Sequence, residues 1–329
     1  MKHVVDNTWQ PNASINNLFN RADIIATIRK FFSDRNILEV DTPSLSQATV
    51  PDVHIDSFKT TFWKPGEKRT ATKELYLITS PEYHMKRLLV AGIGPIYQIC
   101  HCFRNRELGT LHNPEFTMLE WYRPQYNIYQ LMNEVNELID KIIHCGIAEK
   151  ISYQDVFIKH LNIDPLSIPI KELKQIVKLL PGDSSNFINE SYDTLLQLLL
   201  SHLVTSLVEF EKPIFIYNFP ISQASLATIN LDDERVAERF ELYYQGVELA
   251  NGFQELTDSI EHRRRFEYDN NMRTIIGKNK QPIDNKFLTA IKQGLPRCSG
   301  VSLGVDRLIM LALKMKELSQ VITFSVDRC

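Results

Sequence analysis

The chain has 329 residues, 43% hydrophobic and 23% charged, enough apolar surface to bury a large core in one or two domains. A formal charge of -3 argues against a broad basic surface for nucleic acid, although a local patch is compatible with it. Five scattered cysteines, and an N-terminus (MKHVVDNTWQ) lacking a charged start that leads into an apolar run, point to a reduced, cytoplasmic protein.

Leu18, Ile25, Ile28 and Phe32 share one helical stripe, which predicts a helix ending near Asn36, followed by an extended segment, ILEVDTP, that stops at Pro43. Residues 75–78 read as a short strand running into TSPEYHMKRLLVAG. There Ser80 can cap a helix, Pro81 suits its first position and Gly92 can close it, which leaves Glu82 at the helix start. Strands are predicted at 96–103 and 115–122, joined by a polar loop of roughly ten residues, longer than common hairpin connections. Leu131, Val135, Leu138 and Ile142 mark a helix within 127–145. From about 151 to 211 the pattern is mostly helical with breaks at Pro165, Pro169 and Pro181, and reads as an insertion in a single domain spanning 1–329. Its most apolar part, 194–210, carries Gln197, Ser201, His202, Thr205 and Ser206, too polar and short for a membrane span. Strand patterns return at 213–219, 239–249 and 300–305, the last running into an apolar helix from Asp306. Hairpin-connected strands with helices around them predict an α+β fold built on an antiparallel sheet flanked by helices. Neither G-x-G-x-x-G after a first strand nor GxxxxGK[ST] is present.

Chemistry concentrates in three stretches. In 115–122, period-two alternation puts Phe116, Met118, Glu120 and Tyr122 on one strand face and Glu115, Thr117, Leu119 and Trp121 on the other. An isolated strand glutamate is more often structurally paired than functional. Arg104, ending the preceding strand, offers a planar fork for a phosphate or carboxylate, or a salt bridge to Glu107 or Glu115. In GVELANGFQELTD, Glu248 and Glu255 lie seven apart, compatible with two carboxylates converging on a cation. In SGVSLGVDRL, Gly300 and Gly304 let a planar group approach a strand and Arg307 opens a helix; close strand packing and an ion pair are the structural alternatives. Cys100-His101-Cys102 resembles half a metal site, but without a second pair at zinc spacing it reads as strand. The run His262-Arg263-Arg264-Arg265 reads as a solvated helix face or as a contact for RNA or an acidic protein.

Together these stretches resemble the three ordered motifs of class II aminoacyl-tRNA synthetases: the helix and strand ending at Pro43, residues 103–122, and residues 300–308. TSPE, HNPEFTMLEWY and ELANGFQELTD are most similar to the lysyl-tRNA synthetase branch. The chain begins almost at the first motif, without the roughly hundred-residue anticodon-binding OB domain, so it most resembles the stand-alone members that modify a lysine of elongation factor P. The resemblance implies the class II catalytic fold, ATP as substrate, Mg2+, adenylation of (R)-β-lysine or lysine, a homodimer paired through the first motif, and no tRNA. A truncated synthetase charging tRNA and a non-catalytic regulatory module are the alternatives.

By family position Arg104 holds the α-phosphate and Arg307 the γ-phosphate, the two catalytic roles. Glu248, with Glu255, holds the metal-bound phosphates, and His112 helps pyrophosphate leave. Asn105, Arg106, Asn113, the backbone at Leu249, and Gly304 complete the ATP site. Ser80, Pro81 and Glu82 face the amine nearer the substrate carboxylate, and Glu120, Tyr122 and Glu255 the distal one. Arg106 stands where the family places the glutamate that accepts from the adenine amine, and Ser302 stands where glycine or alanine is usual.

Overall fold

The structure is a computed structural model and describes residues 9–66, 72–181, 190–206 and 212–329. The expectations for residues 1–8 and for the end of the 194–210 segment lie outside the described residues. The chain divides into two compact units, one of Met1–Pro124, Thr257–Arg297 and Ser302–Cys329, the other of Gln125–Leu256 and Cys298–Val301.

The first unit opens with α1 (Ile15–Ser33), capped where the Ser14 hydroxyl accepts from the Asn17 N–H. Ile28, Phe31 and Phe32 are its buried residues, and Phe32 stacks on Tyr97 at 4.3 Å; Leu18 and Ile25 of the predicted stripe are half-buried. Of ILEVDTP only β1 (Leu38–Glu39) is strand, shorter than predicted, although the Val40 N–H still donates to the Tyr97 carbonyl. Next come β2 (Leu45–Ser46), β3 (Lys59–Trp63) and β4 (Thr72–Leu77), an antiparallel three-stranded sheet in the order β2-β4-β3. Only the end of β4 was legible as a strand. The β4 chain leads into α2 (Glu82–Val90), where the Ser80 hydroxyl accepts from the Glu82 N–H at 3.0 Å and Gly92, at φ 87°, follows the last turn. β5 (Ile96–Phe103) and β6 (Glu115–Pro124) then pair antiparallel along eight residues, with Glu120 opposite Gln98, and β1 joins β5 in parallel.

The second unit starts with α3 (Ile128–Ile143), held by a capping box of Asn127 and Gln130. β7 (Glu149–Ser152) precedes α4 (Tyr153–Leu161), α5 (Ile170–Val177) and α6 (Tyr192–Ser206), which share an apolar core including Phe157, Leu173, Leu195 and Leu199. These helices are the predicted helical segment. β8 (Ile214–Pro220), β9 (Val236–Tyr244) and β10 (Val247–Gln254) are antiparallel neighbours, with β7 parallel to β8. The single strand predicted over 239–249 is therefore a hairpin. Gln245 and Gly246 both have positive φ, at 50° and 76°, the backbone a tight two-residue turn demands; Gln in place of Asn or Asp hid it.

The chain then returns to the first unit with α7 (Ser259–Ile275) and α8 (Asn285–Gly294), packed through Phe266 and Phe287 against Tyr83 of α2. β11 (Cys298–Gly304) gives its first four residues to the second unit and its last three to the first, where α9 (Val305–Ala312) follows. Strand order is β1-β5-β6-β11 in the first unit and β11-β10-β9-β8-β7 in the second. The β5·β6, β8·β9 and β9·β10 pairs are antiparallel, as the sequence predicts, and the β1·β5 and β7·β8 pairs are parallel. Among the described residues no helix is long and apolar enough to cross a membrane.

Candidate active site

Glu120 lies in a stretch of β6 buried on both faces, and its own burial is nearly complete, at 3% exposure. Its carboxylate accepts hydrogen bonds from the Ser80 hydroxyl at 2.8 Å and from the Tyr122 hydroxyl at 2.5 Å. Burial first, then the negative charge of Glu82, pushes the Glu120 carboxyl up to about 7; the two hydroxyls and the charge of Lys86 pull the other way. Glu82 sits at the first residue of α2, and the Lys86 ammonium, one turn on, lies 2.5 Å from its carboxylate. Ser80, Glu82, Glu120 and Tyr122 are thus gathered into one anionic, hydroxyl-lined group within the first unit. Pro81 is the helix N-cap and turns the chain between Ser80 and Glu82. A shallow, open cleft is lined by Ser80 and Glu82 of this group together with Ala48, Thr49 and Val50. The 48–50 wall was missed by sequence reasoning: it lies in a loop without periodicity, after a strand of two residues.

A second group lies in the β5–β6 connection and at the start of α9. Arg104 has its guanidinium 5.2 Å over the Phe116 ring and 3.9 Å from Glu107, and its N–H donates to the Pro114 carbonyl. Of the two carboxylates weighed for it, Glu107 is the neighbour; Glu115 instead meets His101 at 2.5 Å. Asn105 is tied by its N–H to the Asp56 carbonyl, and its own side chain accepts from the Arg106 N–H. Arg106 is in the left-handed region, at φ 67°, and its largely exposed side chain lies 3.9 Å from Asp56. Asp56 is itself gripped by the buried Arg273 at 2.9 Å and by Lys278 at 3.1 Å. Those two cations outweigh burial and hold its carboxyl below the usual range. His112 and Arg307, far apart in sequence, meet at 2.7 Å, and the Arg307 Nε donates to the Leu111 carbonyl. Asp306, buried, accepts from the Thr117 N–H and pairs with Arg21 of α1, so α1, β6 and α9 are locked together where Arg307 emerges. Asn113 donates to the Glu115 carbonyl and accepts from the Val326 N–H. Gly304 caps α9, and a side chain there would meet Arg307 only at ordinary contact distance, 3.6 Å.

In the second unit, Leu249 falls where the register between β10 and β9 shifts, a bulge that re-aims Glu248 beside it. Glu255 is buried and its N–H bonds to the Cys298 carbonyl. Glu248 lies near enough to Glu241 for its charge to help raise that buried carboxyl to about 7, behind burial as the main cause and against the pull of Arg239. Arg239 and Tyr243 both donate to Glu241. The glycine that packing requires is Gly252: a Cβ there would stand 2.3 Å from the Phe240 ring.

Cys100 and Cys102 are in β5, as the strand reading expects, with their sulfurs 3.8 Å apart, and hydrogen bonding to Cys100, then burial, push the Cys102 thiol up. All five cysteines are free. Arg264 and Arg265 both clamp Glu261, whose carboxyl they hold at about 2, and Arg263 bonds Asn285. The basic run is a helix face largely neutralised from within.

The family model for class II tRNA synthetases (D, K and N) matches residues 5–328. This chain belongs to that family. Among its relatives are proteins of Edwardsiella ictaluri and Erwinia tasmaniensis, each 58% identical over 323 residues, 98% of both chains. A Salmonella arizonae relative is 56% identical over 321 residues, again 98% of both. All three are named elongation factor P--(R)-beta-lysine ligase.

Proposed function

We propose that this chain is an ATP-dependent, AMP-forming ligase that adenylates (R)-β-lysine or lysine and passes it to a lysine side chain of elongation factor P. We read residues 1–329 as one catalytic domain with the helices of about 151–211 as an insertion. The observation that carries the reading is the Ser80–Glu82–Glu120–Tyr122 group. A buried carboxylate dressed by two hydroxyls beside a second carboxylate suits the ammonium groups of a diamino acid, and such a pair is worth ~3 kcal/mol or more once desolvated. Relatives matching 98% of the chain carry the same activity in their names.

In the first step a substrate carboxylate oxygen attacks the α-phosphorus of ATP, the α–β anhydride bond breaks and pyrophosphate leaves. Such a reaction needs positioning and charge neutralisation more than a protein nucleophile. We assign Arg104 to the α-phosphate, with Phe116 beneath it as a face for a planar base, a residue sequence reasoning passed over. Arg307 takes the γ-phosphate and His112, bonded to it, the departing pyrophosphate. Asn105, Asn113, the Leu249 backbone and Gly304 frame adenine and ribose. Arg106 turns away toward Asp56, and Glu107 takes the place beside Arg104, so we assign Glu107 rather than Arg106 as acceptor for the adenine amine. Glu248 and Glu255 would hold magnesium; two carboxylates suit an ion that keeps waters and phosphate oxygens in its shell, where it supplies charge neutralisation. Glu255 also serves the distal amine.

In the second step a neutral lysine amine of the acceptor attacks the carbonyl of the mixed anhydride, and AMP leaves. The acceptor is chosen by what docks, and a chain with 37 basic against 40 acidic residues suits a small acidic protein better than tRNA. A homodimer is favoured by the exposed Ile15 and Phe19 on α1. A cytoplasmic place follows from a substrate in translation. The test combines enzyme, ATP, magnesium, (R)-β-lysine or α-lysine, elongation factor P and total tRNA. The expected result is one β-lysyl group on the factor by intact mass and no label on acid-precipitated tRNA. Label on tRNA with an unmodified factor would overturn the reading.

A further inference from the structure

Lys86 has no solvent exposure at all, and it sits one turn after Glu82 on a helix of nine residues. Its ammonium is 2.5 Å from the Glu82 carboxylate. Ser80 links Glu82 to Glu120, accepting from the Glu82 N–H and donating to the Glu120 carboxylate. Close by, Tyr83 stacks on Phe287, and His262 meets Phe266 and Phe287 edge-on, so the wall beneath this helix is aromatic. Burying an ammonium is costly, and an ion pair at this helical spacing returns little even where both partners are free in solvent. A methionine would fill the same space at lower cost, so packing alone does not explain a lysine.

We propose that Lys86 is a positioning residue for the amino-acid substrate, a resident cation that fixes the Glu82 carboxylate and offsets its repulsion of Glu120 so that both are ready for the substrate's amines. This rests on the ligase reading above. Lys86 acts on groups to either side. It draws the Glu120 carboxyl down against burial and Glu82, and with burial it depresses His262 to about 3, so that ring is neutral with Nδ1 donating to the Asp258 carbonyl. The other charges bearing on this wall are Arg265 and Asp258, felt at His262, and Asp284, Asp269 and Asp52, felt at Tyr83. Without Lys86, Glu120 would keep its proton to higher pH and refuse an ammonium there.

The test is amino-acid-dependent pyrophosphate exchange from pH 6 to 9 with wild type, Lys86→Met and Lys86→Gln, reading KM for the amino acid and for ATP separately. Both variants should move the acid limb of amino-acid use up by about one pH unit, which raises the amino-acid KM about tenfold at pH 6.5 relative to pH 8.5, with the ATP KM within about twofold. Lys86→Gln keeps a hydrogen-bond donor, so a normal pH profile in that variant would mean orientation without charge and would overturn the proposal. An unmoved acid limb in a folded Lys86→Met would also overturn it, as would equal losses for ATP, or failure of both variants to fold, which would assign Lys86 to the fold alone. Absence of exchange by wild type with any diamino acid would sink the ligase reading itself, whatever the variants do.

Discussion

Two buried glutamates, one in each unit, begin with the same local design and end with different surroundings. Glu120 in β6 and Glu241 in β9 each have a tyrosine two residues on whose hydroxyl donates to the carboxylate, and burial raises both to about 7. Glu241 also receives the guanidinium of Arg239 from its own strand, an internal cation further held by the Gln223 carbonyl and Asn251. Glu120 receives instead the hydroxyl of Ser80, and the nearby Lys86 ammonium bonds Glu82. Glu241 is met by a cation from its own strand, whereas the carboxylate of Glu120 is met by two hydroxyls, an arrangement suited to a cation that arrives. From that difference, and not from burial or the Glu-x-Tyr pattern, we propose Glu120 as the binding glutamate of the two.

The largest break in the comparison should come from Glu120→Gln, which keeps shape and removes the charge facing the distal amine. We expect a loss of about a hundredfold or more in kcat/KM for the amino acid in pyrophosphate exchange, ~3 kcal/mol, with the KM for ATP little changed. Glu255→Gln should rank next, at roughly tenfold or more, again on amino-acid use ahead of ATP binding; equal losses for both ligands would count against its role at the distal amine and leave it the magnesium role alone. Tyrosine to phenylalanine sharpens the contrast. Tyr122→Phe removes a donor that holds the Glu120 carboxyl down and should raise the amino-acid KM by about three- to tenfold, most strongly below pH 7, whereas Tyr243→Phe should leave it unchanged. Glu241→Gln should have the smallest effect on turnover, within about threefold, while calorimetry shows destabilisation of about 1–3 kcal/mol because Arg239 loses its charged partner.

The contrast also marks how far the sequence could be read. Strand alternation was enough to place Glu120 and Tyr122 on one strand face, and Ser80, Pro81 and Gly92 were enough to start and stop α2. Period-two spacing says nothing about which cation sits across the strand, so the Arg239–Glu241 pair, two residues apart in one strand, passed unnoticed. The turn at Gln245–Gly246 lacks the usual Asn or Asp, and a hairpin was taken for one strand. Most of the small β2-β4-β3 sheet escaped because β2 has only two residues and all five of β3 are exposed, so neither carries a periodic signal. Arg106 stood out in the second motif, and Glu107 was one of two carboxylates weighed for Arg104; the left-handed backbone at Arg106 and the 3.9 Å approach of Glu107 to Arg104 choose between them. Nothing in the sequence singles out Lys86, because burial of a long charged side chain is a tertiary fact.

The most direct test of the cation-seat account is the proton balance of binding. A carboxyl poised at about 7 is half protonated at pH 7 and must shed that proton to receive an ammonium, so affinity should fall as pH drops through 7. Calorimetric titration of the amino acid into wild-type enzyme at pH 7, repeated in buffers of different ionisation enthalpy, should show release of about half a proton, abolished by Glu120→Gln and retained by Glu241→Gln. No proton release in wild type, or release that survives Glu120→Gln and vanishes with Glu241→Gln, would contradict the assignment of Glu120 as the seat of the substrate amine.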